Sequence, residues 1–124
     1  MLIGWGASCM WFIDPRIITY LEFMRNRFGV TYLNNWIDGG TLDSRGFRSH
    51  EDLEGGKFSQ HRYGRATDTT FKTATPDEVR ADIIKNWSTL YKPLGVACIE
   101  SQVNWVHVDM RYIPNQTSLL IVTP

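Results

Sequence analysis

Two of the three histidines in the chain, together with an aspartate, have the residue types of a zinc site. His61 is followed seven residues later by Asp68, and His107 lies in the alternating segment Val-His-Val-Asp. Two imidazoles and one carboxylate are typical zinc ligands, and a site with three protein ligands keeps one position for water or substrate. Zinc with an open position acidifies the water it binds, which is the chemistry of hydrolysis. The spacing alone leaves a second interpretation open, in which these residues make ordinary polar contacts.

The sequence around these positions resembles a known family. The string from Ser59 to Asp68, S-x-H-x-x-G-x-A-x-D, and the downstream W-V-H-V-D resemble the zinc D,D-carboxypeptidases and L-alanyl-D-glutamate endolysin peptidases of peptidase family M15. The resemblance extends from Asp14-Pro15 to about Tyr112, and the family shares its fold with the hedgehog signalling domain. It implies a hedgehog/DD-peptidase-like α+β fold, with a central antiparallel sheet and helices packed on one face.

The resemblance also implies roles for individual residues. His61, Asp68 and His107 match the three zinc ligands of the family in type and order. Ser59, two residues before the first ligand, matches a serine that holds the substrate. Arg48, in R-G-F-R-S, aligns with an arginine that contacts a substrate carboxylate or the polarised carbonyl. The alternative for Arg48 is a solvated charge in a polar loop.

A zinc peptidase also needs a base near the activated water. Glu100 precedes His107 by seven residues and resembles the Glu-Ser of the hedgehog domain, at an offset one residue longer than expected; the alternative is a glutamate at a strand end facing water. Asp109 is the competing acid, and we expect it instead to orient His107 or a neighbouring arginine, as is common around zinc histidines. Trp105 occupies the position where some branches carry a histidine base, and His50 matches no ligand position.

The resemblance therefore predicts a peptidase with one zinc ion. It would cleave an amide bond in peptidoglycan stem peptides, as a D,D-carboxypeptidase or an L-Ala-D-Glu endopeptidase, through zinc-activated water with Glu100 as general base. Two alternatives remain: a non-catalytic zinc-binding module or phage virion component on the same fold, and the same fold without the metal. Histidine and aspartate also accept other divalent ions, so the donor types do not identify the metal.

Two helices and several strands must position these residues. Asp14-Pro15 and Thr75-Pro76 each combine a capping residue with proline at the first helical position. They predict helices that end near residue 28 and by Lys92-Pro93, and Glu78 predicts a capping box in the second helix. In the segment 105–112, Val106 and Val108 should face one side and the polar residues between them an open, solvated side. The predicted strands are residues 30–36, 65–71, 95–101, 105–112 and 118–122.

The overall composition bounds the remaining possibilities. A chain of 124 residues with 43% hydrophobic residues is expected to form a single domain, residues 1–124, with a real core. Thirteen basic and thirteen acidic residues cancel, so no net field should draw the chain to nucleic acid or to an anionic membrane. Cys9 and Cys98 lack metal-site or redox spacing and are expected to be independent thiols.

The sequence shows no signal peptide, and no apolar run approaches the roughly 18–20 residues of a membrane helix. We therefore expect a phage-encoded protein, or one that is cytoplasmic before release, acting on the cell wall. Its expected partner is a peptidoglycan peptide.

Overall fold

The computed structural model describes residues 13–33 and 60–124 of the chain. A 3₁₀ turn, Gln60–Tyr63, precedes the strand Ala66–Phe71, and a π-helical turn, Trp87–Tyr91, follows the helix Pro76–Asn86. The helices and strands are α1 (Pro15–Phe28), β1 (Thr31–Tyr32), β2 (Ala66–Phe71), α2 (Pro76–Asn86), β3 (Cys98–Glu100), β4 (Val106–Asp109) and β5 (Leu120–Val122).

Both predicted helix starts are confirmed. The Asp14 carboxylate accepts a hydrogen bond from the Arg16 backbone N–H at 3.0 Å, which satisfies one of the free amides at the start of α1. At α2, the Thr75 hydroxyl accepts from the Glu78 N–H and the Glu78 carboxylate accepts from the Thr75 N–H, which is the predicted capping box. The first turn of each helix is therefore determined by local sequence.

The five strands form one mixed sheet in the order β1-β2-β4-β3-β5. The predicted antiparallel arrangement holds for the first four strands and is wrong for β5, which pairs parallel to β3. Asp109, at the end of β4, lies opposite Cys98, at the start of β3. The connection 110–119 returns the chain to the same end of the sheet, where Leu120, the first residue of β5, pairs with Cys98, the first residue of β3. Both strands therefore start at that end and run in the same direction.

The helices pack on one face of the sheet, as predicted. Val106 and Val108 are fully buried and belong to the same hydrophobic cluster as Met24 of α1 and Ile83 of α2. Because side chains alternate along a strand, His107 lies on the opposite face. The fold is thus α+β, with the hydrophobic core on one face and the histidine on the other. Within the described ranges, no helix is long and apolar enough to span a bilayer.

Candidate metal centre

The pairing of β2 with β4 brings two of the predicted ligands together. Asp68 lies directly opposite His107 in the antiparallel ladder, and cross-strand partners project from the same face. His61 reaches this face from the 3₁₀ turn before β2. The Asp14 backbone N–H donates to the Gly64 carbonyl at 2.9 Å, so the start of α1 holds the end of that turn in place.

His61, Asp68 and His107 form a buried cluster that could hold a metal ion. Their potential ligand atoms all lie within 4.8 Å of one another, and the three residues are 3%, 6% and 5% exposed. His61 Nε2 is 3.3 Å from Asp68 Oδ2, and His107 Nδ1 is 2.8 Å from Asp68 Oδ1. Around a tetrahedral zinc ion, ligand atoms about 2.0–2.2 Å from the metal lie about 3.4 Å apart. The donor types suit a small divalent ion, and the two separations that involve Asp68, 3.3 and 2.8 Å, are near this spacing.

The two ring nitrogens of His107 have different partners. Nδ1 faces Asp68 and hence the cluster, whereas Nε2 lies 3.0 Å from Oδ2 of Asp109. Asp109 also accepts from Arg111, at 2.7 Å from Nε and 2.6 Å from Nη2. Asp109 thus contacts both groups that the sequence suggested for it, His107 and a neighbouring arginine. A carboxylate that accepts from one imidazole nitrogen leaves the other nitrogen directed at the metal position.

The carboxylates hold the imidazole of His107 in its charged form. Burial lowers the pKa of His107, but hydrogen bonds to Asp109 and Asp68 outweigh burial and raise that pKa to about 9. For Asp68 burial acts in the opposite direction and raises the pKa. The hydrogen bonds from His107 and His61 outweigh burial and bring the pKa of Asp68 well below the ordinary carboxyl value. Each ring nitrogen of His107 therefore lies within hydrogen-bond distance of a carboxylate oxygen, which favours the protonated imidazole. A cation in the cluster would replace the proton on Nδ1.

The polar face of β4 is buried, which corrects one sequence prediction. We expected an open, solvated site because His107 and Asp109 share a face, but these residues are 5% and 0% exposed. The alternation of polar and apolar residues predicts which side chains share a face of the strand, but it does not predict which other elements cover that face. The buried carboxylates are instead satisfied by Arg111 and the imidazole, as buried charges require.

The two candidate bases lie on different sides of the His107 ring. Glu100 Oε1 is 4.0 Å from His107 Nδ1, on the side of the cluster, and the Glu100 side chain is 22% exposed. Asp109 lies against Nε2, and both of its oxygens accept hydrogen bonds from Arg111. Burial raises the pKa of Asp109, but the hydrogen bonds from Arg111 and His107 lower it to about 2. Of the two acids, only Glu100 is both on the cluster side and accessible to water.

Several predicted residues lie outside the described ranges. Arg48 and Ser59, the proposed substrate-binding residues, fall in the segment 34–59, and so does His50. Their roles stay predictions. Cys98 is a buried free thiol, and Cys9 precedes the first described residue.

Sequence reasoning missed one residue that supports this centre. Arg80 of α2 is 9% exposed and donates to the carbonyls of Trp105 at 2.6 Å and Val103 at 2.9 Å. These carbonyls belong to the segment that leads into β4, so Arg80 holds the backbone just before His107. A charged residue on a helix usually indicates a solvated position, and no local signal marks Arg80 as buried.

Comparisons with known protein families, with curated proteins and with solved structures find no match to this chain.

Proposed function

We propose that the chain is a zinc-dependent peptidase of the hedgehog/DD-peptidase type, acting on peptidoglycan stem peptides. The observation that carries the proposal is the convergence of His61, Asp68 and His107, with Glu100 beside the same imidazole nitrogen that faces the cluster. The three candidate ligands lie on a turn and on two strands, so the tertiary fold brings them together. Their spacing in the sequence does not by itself explain this.

Zinc bound at this cluster would supply a Lewis acid and would lower the pKa of a coordinated water to about 7. Glu100 would accept the proton of the attacking water at its carboxylate and pass it to the leaving amine. Asp109 would keep His107 in the tautomer that presents Nδ1 to the metal, and Arg111 would hold Asp109. Each described residue thus has a role that its position permits.

The substrate and the place of action rest on the resemblance. The string from Ser59 to Asp68 and the W-V-H-V-D segment resemble motifs of peptidase family M15. We propose an amide bond of D-Ala-D-Ala or L-Ala-D-Glu type as the scissile bond. We propose that the protein acts as a phage lysis enzyme or a virion-associated enzyme, which is consistent with that substrate.

The test combines metal analysis with a cell-wall assay. Purified protein should contain one zinc per chain by elemental analysis and should release new amino groups from isolated peptidoglycan, with mass spectrometry identifying the bond. Glu100→Gln should retain zinc and lose at least about a hundredfold in rate, since a general base contributes about 10²–10⁴-fold. Glu22→Gln, an exposed glutamate of α1, is the matched control and should keep full activity.

Three other outcomes would point elsewhere. A zinc-loaded protein that releases no amines from peptidoglycan is a zinc-binding module rather than a peptidase. If Glu100→Gln loses zinc together with activity, Glu100 is a fourth ligand and the base is another group. If His61→Ala binds as much zinc as the unsubstituted chain, the cluster is not the metal site.

A further inference from the structure

A separate pocket lies where β4 ends and the chain approaches β3. Its volume is about 440 Å³. No acidic residue is among the described residues that line it. Tyr112, which is 82% exposed, and the half-buried Ile113 give it apolar surface. Four cationic side chains also line it: Arg16, Arg65, Lys92 and Arg111.

Two of these arginines use only part of their hydrogen-bonding capacity. Arg16 donates to Asp14 through Nε and Nη2, and Arg111 donates to Asp109 through the same two atoms. The Nη1 group of each makes no hydrogen bond to the described part of the chain. A guanidinium carries five N–H donors, so both arginines retain donors for a further oxyanion.

The other two cations make no ion pair with any described residue. Arg65 lies 5.3 Å from the ring centre of Tyr63, and its buried Nε has no hydrogen-bond partner. Lys92 donates one N–H to the Gln116 carbonyl at 2.9 Å and retains two others. The side chain of Arg65 donates no hydrogen bond to another described residue, so its terminal N–H groups remain donors for a ligand.

Gly95 allows one of the cations to lie against the pocket wall. A Cβ at position 95 would lie 3.0 Å from Nη1 of Arg16 and 2.9 Å from its Cδ. The residue has φ +99°, a conformation that side chains other than glycine rarely adopt. The glycine therefore leaves space for the Arg16 guanidinium beside the backbone.

From this arrangement we propose that the pocket binds a small organic anion, a carboxylate or phosphate group carried on a short apolar body. Guanidinium groups pair with the oxygens of either anion, while the side chains of Tyr112 and Ile113 would contact the apolar part. The volume lies within the roughly 300–1,000 Å³ of small-molecule sites. The site does not depend on the peptidase proposal; it adjoins the metal centre through Arg111, which lines the pocket and donates to Asp109.

The test is an NMR titration of the full chain at constant ionic strength. The probes share one apolar body: phenyl phosphate, phenylacetate and, as the neutral control, benzyl alcohol. Amide shifts should be centred on Gly95, Ala97 and Arg111 for at least one anion and be absent for benzyl alcohol. The anion that binds more tightly identifies phosphate or carboxylate as the preferred group.

Two variants assign the binding to the cations. Arg65→Gln and Lys92→Gln should each raise the dissociation constant about tenfold, because each loses a charge-assisted contact. Lys72→Gln removes an exposed lysine that does not line the pocket and should bind like the unsubstituted chain. Lys92 is exposed, so its variant tests the pocket even if Arg65→Gln folds poorly.

Three results would overturn the proposal. One is that neither anion binds. Another is that benzyl alcohol binds as tightly as the anions. The third is that the shifts centre on His61 and His107 and are unchanged in both variants, which would place the anion on the metal instead.

Discussion

Replacing Asp109 with asparagine tests whether this carboxylate supports metal binding or only the fold. Asp109 is fully buried and accepts from Arg111 at 2.7 and 2.6 Å and from His107 at 3.0 Å. Asparagine keeps the shape and one acceptor oxygen but removes the charge that strengthens these bonds. We expect Asp109→Asn to bind zinc about 10–100-fold more weakly, the usual effect of losing the partner of a ligand histidine. That loss corresponds to about 1.4–2.7 kcal/mol of binding free energy.

The same substitution should also lower the free energy of unfolding. Breaking a buried ion pair by removing one partner costs about 3–5 kcal/mol. The Arg111 side chain is 32% exposed and can regain water, so we expect the lower end, about 3 kcal/mol. Zinc affinity is measured by competition with a chelating dye, and stability by urea denaturation with zinc removed. The affinity is compared only under conditions in which both proteins are folded.

Asp82→Asn is the matched control. Asp82 accepts from both Nε and Nη2 of Arg27, at 2.8 and 2.7 Å, and from the Tyr91 hydroxyl, away from the cluster. This variant should lose stability and keep its zinc affinity. If Asp109→Asn binds zinc as tightly as Asp82→Asn does, Asp109 supports only the fold, and the role we give it at the metal centre is wrong.

Three further predictions concern stability. Arg80→Met should lower the free energy of unfolding by about 1–3 kcal/mol, because it leaves the partly buried carbonyls of Val103 and Trp105 without their donor. An unchanged urea midpoint would contradict this. Gly95→Ala should cost about 1–3 kcal/mol from backbone strain and the approach to Arg16. Gly29 has φ +84°, and a Cβ there would lie 3.9 Å from Oγ1 of Thr73, so Gly29→Ala should show the cost of backbone strain alone. If both variants lose the same stability in thermal denaturation, the contact with Arg16 has no cost. The hydrogen bonds from Arg27 lower the pKa of Asp82, so the stability it contributes is complete above the ordinary carboxyl pKa and is lost as the pH falls through the folded-state value. Asp82→Asn should therefore flatten the acid side of the stability curve, and an unchanged acid slope would refute the assignment.

Local sequence determined the helix starts and the chemical types at the candidate site. Asp14 before Pro15 and Thr75 before Pro76 act within one turn of the chain, so their effect can be predicted without knowledge of the fold. The alternation around His107 likewise showed which neighbours share its face. These interactions join residues that are close in sequence, and the predicted helix starts and shared face are confirmed, whereas the solvated site that the alternation also suggested is buried.

Long-range pairing decided what local patterns do not contain. The register that sets Asp68 opposite His107 joins two strands separated by α2 and β3, and only the sheet places Glu100 and Asp109 on opposite sides of the imidazole. β5 is parallel to β3 because the connection after β4 returns the chain to the end of the sheet at which β3 begins. The burial of the polar stripe, and of Arg80 against the segment before β4, depends on which elements pack over each residue. The types of the candidate ligands were therefore readable from the sequence, whereas their convergence and their enclosure arise only when the chain folds.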